Sequence, residues 1–143
     1  MKKNVLFVDD DAFWAQLWIA SLEETFDVFH FGAALPALEH LDSTNVISCV
    51  VLDVMMPTPT GVADSETANG FETGLWILRR IARRVKTQPL PVVILTNRDT
   101  DQIDESLADF RFDQGLVVVR HKTNTNRTQL RQTVRDLITR WNS

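Results

Sequence analysis

The sequence predicts an α/β fold, a parallel sheet covered by helices on both faces, and three observations lead there. Short aliphatic runs alternate with longer segments whose apolar residues recur at helical spacing. The runs are continuous, as in Val92-Val93-Ile94-Leu95, which suits strands buried on both faces. Several of them stop abruptly at a polar residue, where ligands gather in open α/β sheets.

In chain order, Val5 to Val8 is the first strand, closed by Asp9-Asp10-Asp11. Ala12 to Glu24 follows as a helix with Phe13, Leu17, Ala20 and Leu22 at helical spacing, and Asp11 is placed to cap it. Asp27 to Phe31 is β-like and ends at Gly32, after which Leu35, Leu38 and Leu41 mark a short helix. Cys49 to Leu52 is the third strand, stopped by Asp53 and then by Pro57. A polar segment, Thr58 to Asn69, precedes a helix with Leu75, Leu78, Ile81, Ala82 and Val85 on one face, which Pro89 and Pro91 end. Val92 to Leu95 is the fourth strand, broken at Thr96-Asn97. Ile103, Leu107 and Phe110 mark a fourth helix, Leu116 to Val119 a fifth strand, and Leu130, Val134, Leu137, Ile138 and Trp141 a last helix. Five βα units imply right-handed crossovers in one sheet, and residues 1–143 are read as one domain without internal repeats.

Bulk properties narrow the function. The net charge of −4 argues against nucleic acid as a partner, because phosphate backbones are met by basic surfaces. The lone cysteine, Cys49, sits inside an apolar run and reads as a buried, inert thiol. No apolar stretch approaches bilayer-spanning length and the start does not resemble a cleaved signal, so a cytoplasmic protein without membrane contact is expected.

Chemistry appears when the strand ends are compared. The first strand ends in Asp9 and Asp10, the third in Asp53 and the fourth in Thr96, and Lys122 follows the fifth. Parallel strands bring these groups to one edge of the sheet. Clustered carboxylates raise one another's pKa unless a cation joins them. A hard divalent ion such as Mg²⁺ fits, with positions left for phosphate oxygens, and a lysine and a hydroxyl add further contacts for those oxygens.

These residues resemble a known family. Val8-Asp9-Asp10, Leu52-Asp53-Val54-Met55-Met56-Pro57, Leu95-Thr96 and Lys122 match, in order, the motifs of receiver domains of two-component response regulators, over nearly the whole chain. The resemblance implies a flavodoxin-like doubly wound sheet of strand order 2-1-3-4-5. It implies that Asp53 accepts a phosphoryl group from a phosphohistidine on a sensor histidine kinase or a histidine phosphotransfer protein. Asp10, Asp53 and the Met55 carbonyl would ligate Mg²⁺, with Asp9 acting mainly through water. Thr96 would hydrogen-bond the phosphoryl group and Lys122 would pair with it. A downstream protein would then read the changed surface. Such a domain is no general enzyme, since it catalyses only its own phosphorylation and dephosphorylation.

The chain departs from the family pattern in several places. Lys122 precedes Thr123 where proline is usual, and Val119 stands where an aromatic normally swings with the threonine. Asn97 follows Thr96 where a small residue is common, and Met55 puts an apolar side chain where water would approach the phosphoryl group. The segment Thr58 to Asn69 is longer than usual and ends at Gly70, which is expected to open the third helix. A lid beside the site and a tolerated insertion are both open readings of it.

Two other functions are weighed. A pseudo-receiver that binds partners without phosphorylation fits Val119, Asn97 and the missing proline. A phosphatase of the haloacid dehalogenase type needs a second aspartate two residues past the nucleophile, where Met55 stands. Trp14, Trp18 and Trp141 suggest either core packing or a dimer or partner surface. The arginines from Arg79 to Arg84 and the row Arg127, Arg131, Arg135 read by default as solvated faces, and His30, His40 and His121 lack metal-ligand spacing.

Overall fold

A computed structural model describes residues 2–44 and 46–142. The strands are β1 (Asn4–Val8), β2 (Asp27–Phe31), β3 (Ile47–Leu52), β4 (Val92–Thr96) and β5 (Val117–His121), and the helices are α1 (Ala12–Leu22), α2 (Ala34–Asp42), α3 (Thr73–Thr87), α4 (Thr100–Ala108) and α5 (Arg127–Trp141). All pairings are parallel and the strand order is β2-β1-β3-β4-β5, the doubly wound order expected. Among the described residues no helix is long and apolar enough to cross a membrane.

The pleat divides the strand residues between two cores. Leu6, Val8, Val50, Leu52, Val92 and Ile94 face one side with α2, α3 and α4, whereas Val5, Phe7, Cys49, Val51, Val93 and Leu95 face α1 and α5. Every residue of β3 and β4 is buried, which is why the stretches Cys49 to Leu52 and Val92 to Leu95 within them read as unbroken apolar runs. Cys49 is fully buried, and burial pushes its thiol pKa up, so it is the inert thiol expected.

Helix ends follow their caps. The Asp11 carboxylate accepts the Trp14 N–H at the start of α1, and Asn126 and Gln129 form a reciprocal capping box on α5. Where boundaries differ from expectation the backbone gives the reason. The third helix opens at Thr73 and not at Gly70, because Gly70 has φ +91° and belongs to the preceding turn. Phe110 lies past α4, which stops before Arg111 at φ 56°.

The buried side of α1 is Ala15, Trp18 and Leu22, while Phe13 and Trp14 are exposed and Leu17 is partly so. Apolar residues surround this helix, so spacing alone did not select the inward face. Trp18 is therefore core, and Trp141, half-buried on α5, donates its indole N–H to the Gly115 carbonyl at 3.3 Å.

Candidate functional site

The carboxyl edge of the sheet carries the site. Backbone ladders continue one residue past the strands: the Asp9 N–H donates to Phe31 O (3.1 Å) and the Asp53 N–H to Val8 O (2.9 Å). The two aspartates are thus held by the sheet itself and not by a loose loop. A further bond fixes the Asp9 peptide, where His30 Nε2 donates to its carbonyl at 2.9 Å.

Asp9, Asp10 and Asp53 each offer a carboxylate oxygen, and these three atoms lie within 4.8 Å of one another. Asp9 and Asp53 are buried and Asp10 is exposed, so the cluster opens to solvent on the Asp10 side. Lys122 reaches in from the end of β5, with Nζ 3.0 Å from Asp9 Oδ2 and 3.5 Å from Asp53 Oδ2. The other Asp9 oxygen accepts the Asp11 N–H at 2.9 Å.

Electrostatics follow from three acids sharing one ammonium. Burial lifts the Asp53 pKa from 3.8 to about 6; Lys122 and the Met55 and Val54 N–H groups oppose the rise and Asp9 adds to it. Asp10 is raised by burial and by Asp9. Burial works against the Lys122 charge, but Asp53 and Asp9 outweigh it and hold the ammonium above its ordinary value. The negative charge is left partly uncompensated. Three oxygen donors with one exposed member are what a small hard divalent cation takes, and the donor set fits such an ion.

Thr96 ends β4 on the same edge and is fully buried. Its hydroxyl oxygen accepts the Arg98 N–H at 3.1 Å, so its own hydrogen is free to donate elsewhere. Met55 is partly exposed and, with Asp10, Met56, Pro57, Asn69, Gly70 and Phe71, lines a cleft of about 250 Å³ beside the carboxylates. Val119 pairs in register with Ile94 and packs against the α2–α4 core.

The polar segment from Thr58 to Asn69 is internally tied. It contains a single 3-10 turn at Asp64–Glu66. Thr67 is fully buried, and its hydroxyl bonds the Thr58 hydroxyl at 2.7 Å and accepts the Gly70 N–H at 3.2 Å. Arg79 donates to the Glu66 carbonyl (3.1 Å), and Thr73 Oγ1 donates to the Met56 carbonyl (2.7 Å). Arg98 donates to the Phe71 carbonyl at 3.0 Å, joining the loop after β4 to the far end of this segment.

Several of these residues escaped sequence reasoning. Gly74 matters most: a Cβ there would stand 2.2 Å from the Asp53 carbonyl oxygen and 2.6 Å from Val54 Cα. Only glycine lets the start of α3 lie against the acceptor peptide, and the Gly74 N–H donates to Val54 O at 2.8 Å. A glycine inside a helical pattern was the available signal. The α3 arginines are also less free than a solvated face: besides Arg79, Arg84 bonds the Leu41 carbonyl and Arg80 lies over the Trp76 ring.

No protein-family model and no curated protein matches the sequence. Solved structures do match in shape. A CheY-like response regulator receiver domain protein from Methanospirillum hungatei superposes with a TM-score of 0.76 at 15% identity, covering 99% of this chain and 98% of that one. A receiver domain protein from Clostridium thermocellum gives 0.71 at 22% identity over 96% and 95%. The chemotaxis protein CheY4 of Vibrio cholerae gives 0.73 at 17% over 96% and 99%. With five parallel strands in the order 2-1-3-4-5 and five flanking helices, the chain has the flavodoxin-like fold of response regulator receiver domains.

Proposed function

We propose that this chain is a single receiver domain, residues 1–143, whose Asp53 is phosphorylated by a phosphohistidine-bearing partner in a cytoplasmic two-component pathway. One observation carries the reading: the carboxylates of Asp9, Asp10 and Asp53 converge within 4.8 Å while Lys122 Nζ sits 3.5 Å from Asp53. Two buried carboxylates, Asp9 and Asp53, sharing one lysine cost stability, and a bound cation would offset that cost.

Asp10, Asp53 and the Met55 carbonyl would hold Mg²⁺, and Asp9 would help position it. Asp9 would act mainly through water, a reading supported by its oxygens already serving Lys122 and the Asp11 N–H. The ion would supply charge neutralisation where the carboxylate and the phosphoryl group meet.

The remaining steps belong to side chains of this domain. An ionised Asp53 oxygen attacks phosphorus, the phosphorus–nitrogen bond to the donor imidazole breaks, and the imidazole leaves with the electron pair and takes up a proton. Lys122, already beside Asp53, pairs with a phosphoryl oxygen. Thr96 donates its unengaged hydroxyl hydrogen to another. Because its oxygen also holds the Arg98 N–H, a shift of Thr96 is passed to Arg98 and so to Phe71. Val119 has no ring to swing, so this route replaces an aromatic one. A downstream protein would read the altered surface.

Incubation with Mg²⁺ and acetyl phosphate, followed by intact mass measurement, tests the proposal. The expected result is one phosphoryl adduct that is absent in Asp53→Asn. No adduct on the folded protein would leave the pseudo-receiver reading in its place.

A further inference from the structure

We infer that His121 is a positioning residue for Lys122, doing here through hydrogen bonds what a rigid residue after the lysine would otherwise do; the inference rests on the phosphoacceptor reading of Asp53. His121 is the last residue of β5 and lies in register with Thr96. Its imidazole bridges two loops. Nε2 lies 3.1 Å from the Asn97 carbonyl, and Nδ1 lies 3.2 Å from the Thr123 N–H and 2.7 Å from the Thr123 hydroxyl.

The partners fix the tautomer. The Thr123 N–H can only donate, so Nδ1 must accept, and Nε2 then carries the hydrogen given to the Asn97 carbonyl. Neutral imidazole with one donor and one acceptor satisfies both sides at once. Lys122 sits between these ties, and its own N–H donates to the Thr96 carbonyl at 2.8 Å. Three consecutive residues are thereby pinned to the end of β4 or to each other: His121 to Asn97, Lys122 to Thr96, and Thr123 back to His121.

The consequence is a defined origin for the Lys122 side chain. A lysine is a flexible point charge, and a fixed backbone adds to the Asp9 and Asp53 contacts that hold its Nζ at the carboxylate pair. The position after Lys122 is Thr123, which has ordinary backbone freedom, so the restraint has to come from outside its φ angle. Thr123 also supplies both groups that Nδ1 accepts, which makes the threonine and the histidine one device. Asn97 adjoins Thr96, so the same device ties the Lys122 loop to the segment that Thr96 would pull on phosphorylation.

The experiment compares the wild type with His121→Phe, which keeps a ring and loses all three hydrogen bonds, and His121→Gln, whose amide N–H₂ can again reach Asn97. Phosphorylation from acetyl phosphate is followed across donor concentrations, and Mg²⁺ affinity is measured separately by isothermal titration calorimetry. The expected result is a maximal phosphorylation rate reduced about tenfold or more in His121→Phe. The half-saturating donor concentration and Mg²⁺ affinity should stay close to wild type, with partial recovery of rate in His121→Gln. A His121→Phe variant that phosphorylates at the wild-type rate overturns the inference. So does one that loses rate and Mg²⁺ affinity by the same factor, which marks general loosening. A folded wild type that takes up no phosphoryl group overturns the Asp53 reading itself, and this inference with it.

Discussion

Lys122 Nζ lies 3.5 Å from Asp53 Oδ2, and the same nitrogen donates to Asp9 Oδ2 at 3.0 Å, so one cation serves two buried carboxylates. Its two roles separate on mutation. Lys122→Ala should slow phosphorylation of Asp53 by about 10²–10³, the cost of losing one preorganised charge at a developing anion. Mg²⁺ should bind no more weakly, and even more tightly, since a competing positive charge is gone. Parallel measurement of phosphorylation rate and Mg²⁺ affinity checks both, and a joint loss would mean that Lys122 merely holds the pocket together.

The raised Asp53 pKa has a stability consequence in protein freed of divalent cations. Its folded value of about 6 lies above the ordinary 3.8, so the folded state favours the neutral acid. That contribution is complete below pH 3.8 and is lost as pH rises through 6. Asp53→Asn imitates the neutral form. It should therefore be more stable than the wild type by about 1–3 kcal/mol well above pH 6, with no gain in acid, by urea unfolding without metal.

Gly74 allows α3 to start against the acceptor peptide. Gly74→Ala should destabilise the protein by about 1–3 kcal/mol, because the clash is with backbone atoms that have no rotamer to yield. Chemical denaturation gives the number. An alanine tolerated at no cost would mean that α3 sits farther from Asp53 than the geometry here.

Thr67 tests the segment between β3 and α3. Its hydroxyl is fully buried and links Thr58 to the Gly70 N–H, so Thr67→Val should cost about 1–3 kcal/mol by stranding those groups. A neutral effect would return the segment to a loosely held insertion.

Much of this molecule was legible in its residues, and the misses have physical causes. Val50-Val51-Leu52 before Asp53 and Val92 to Leu95 before Thr96 marked strands buried on both faces, and parallel strands put their polar ends on one edge. Asp9, Asp10, Asp53 and Lys122 were thus readable as one cluster from the chain alone. The inward face of α1 was not, because Phe13 and Leu17 compete with Trp18 and Leu22 for the core by spacing alone. Gly74 was passed over for Gly70, since the need for a missing Cβ arises from the Asp53 peptide, distant along the chain. The ties from Arg79 to Glu66, Arg98 to Phe71 and His121 to Asn97 end on backbone carbonyls, which no side-chain pattern announces.

The most direct test of the central claim is chemical trapping of the modified residue. After treatment with acetyl phosphate and Mg²⁺, borohydride reduces an aspartyl phosphate to homoserine, and peptide mapping locates the change. The account predicts homoserine at position 53 alone, dependent on Mg²⁺. A reduced residue anywhere else, or none in protein that is folded and binds Mg²⁺, would contradict it.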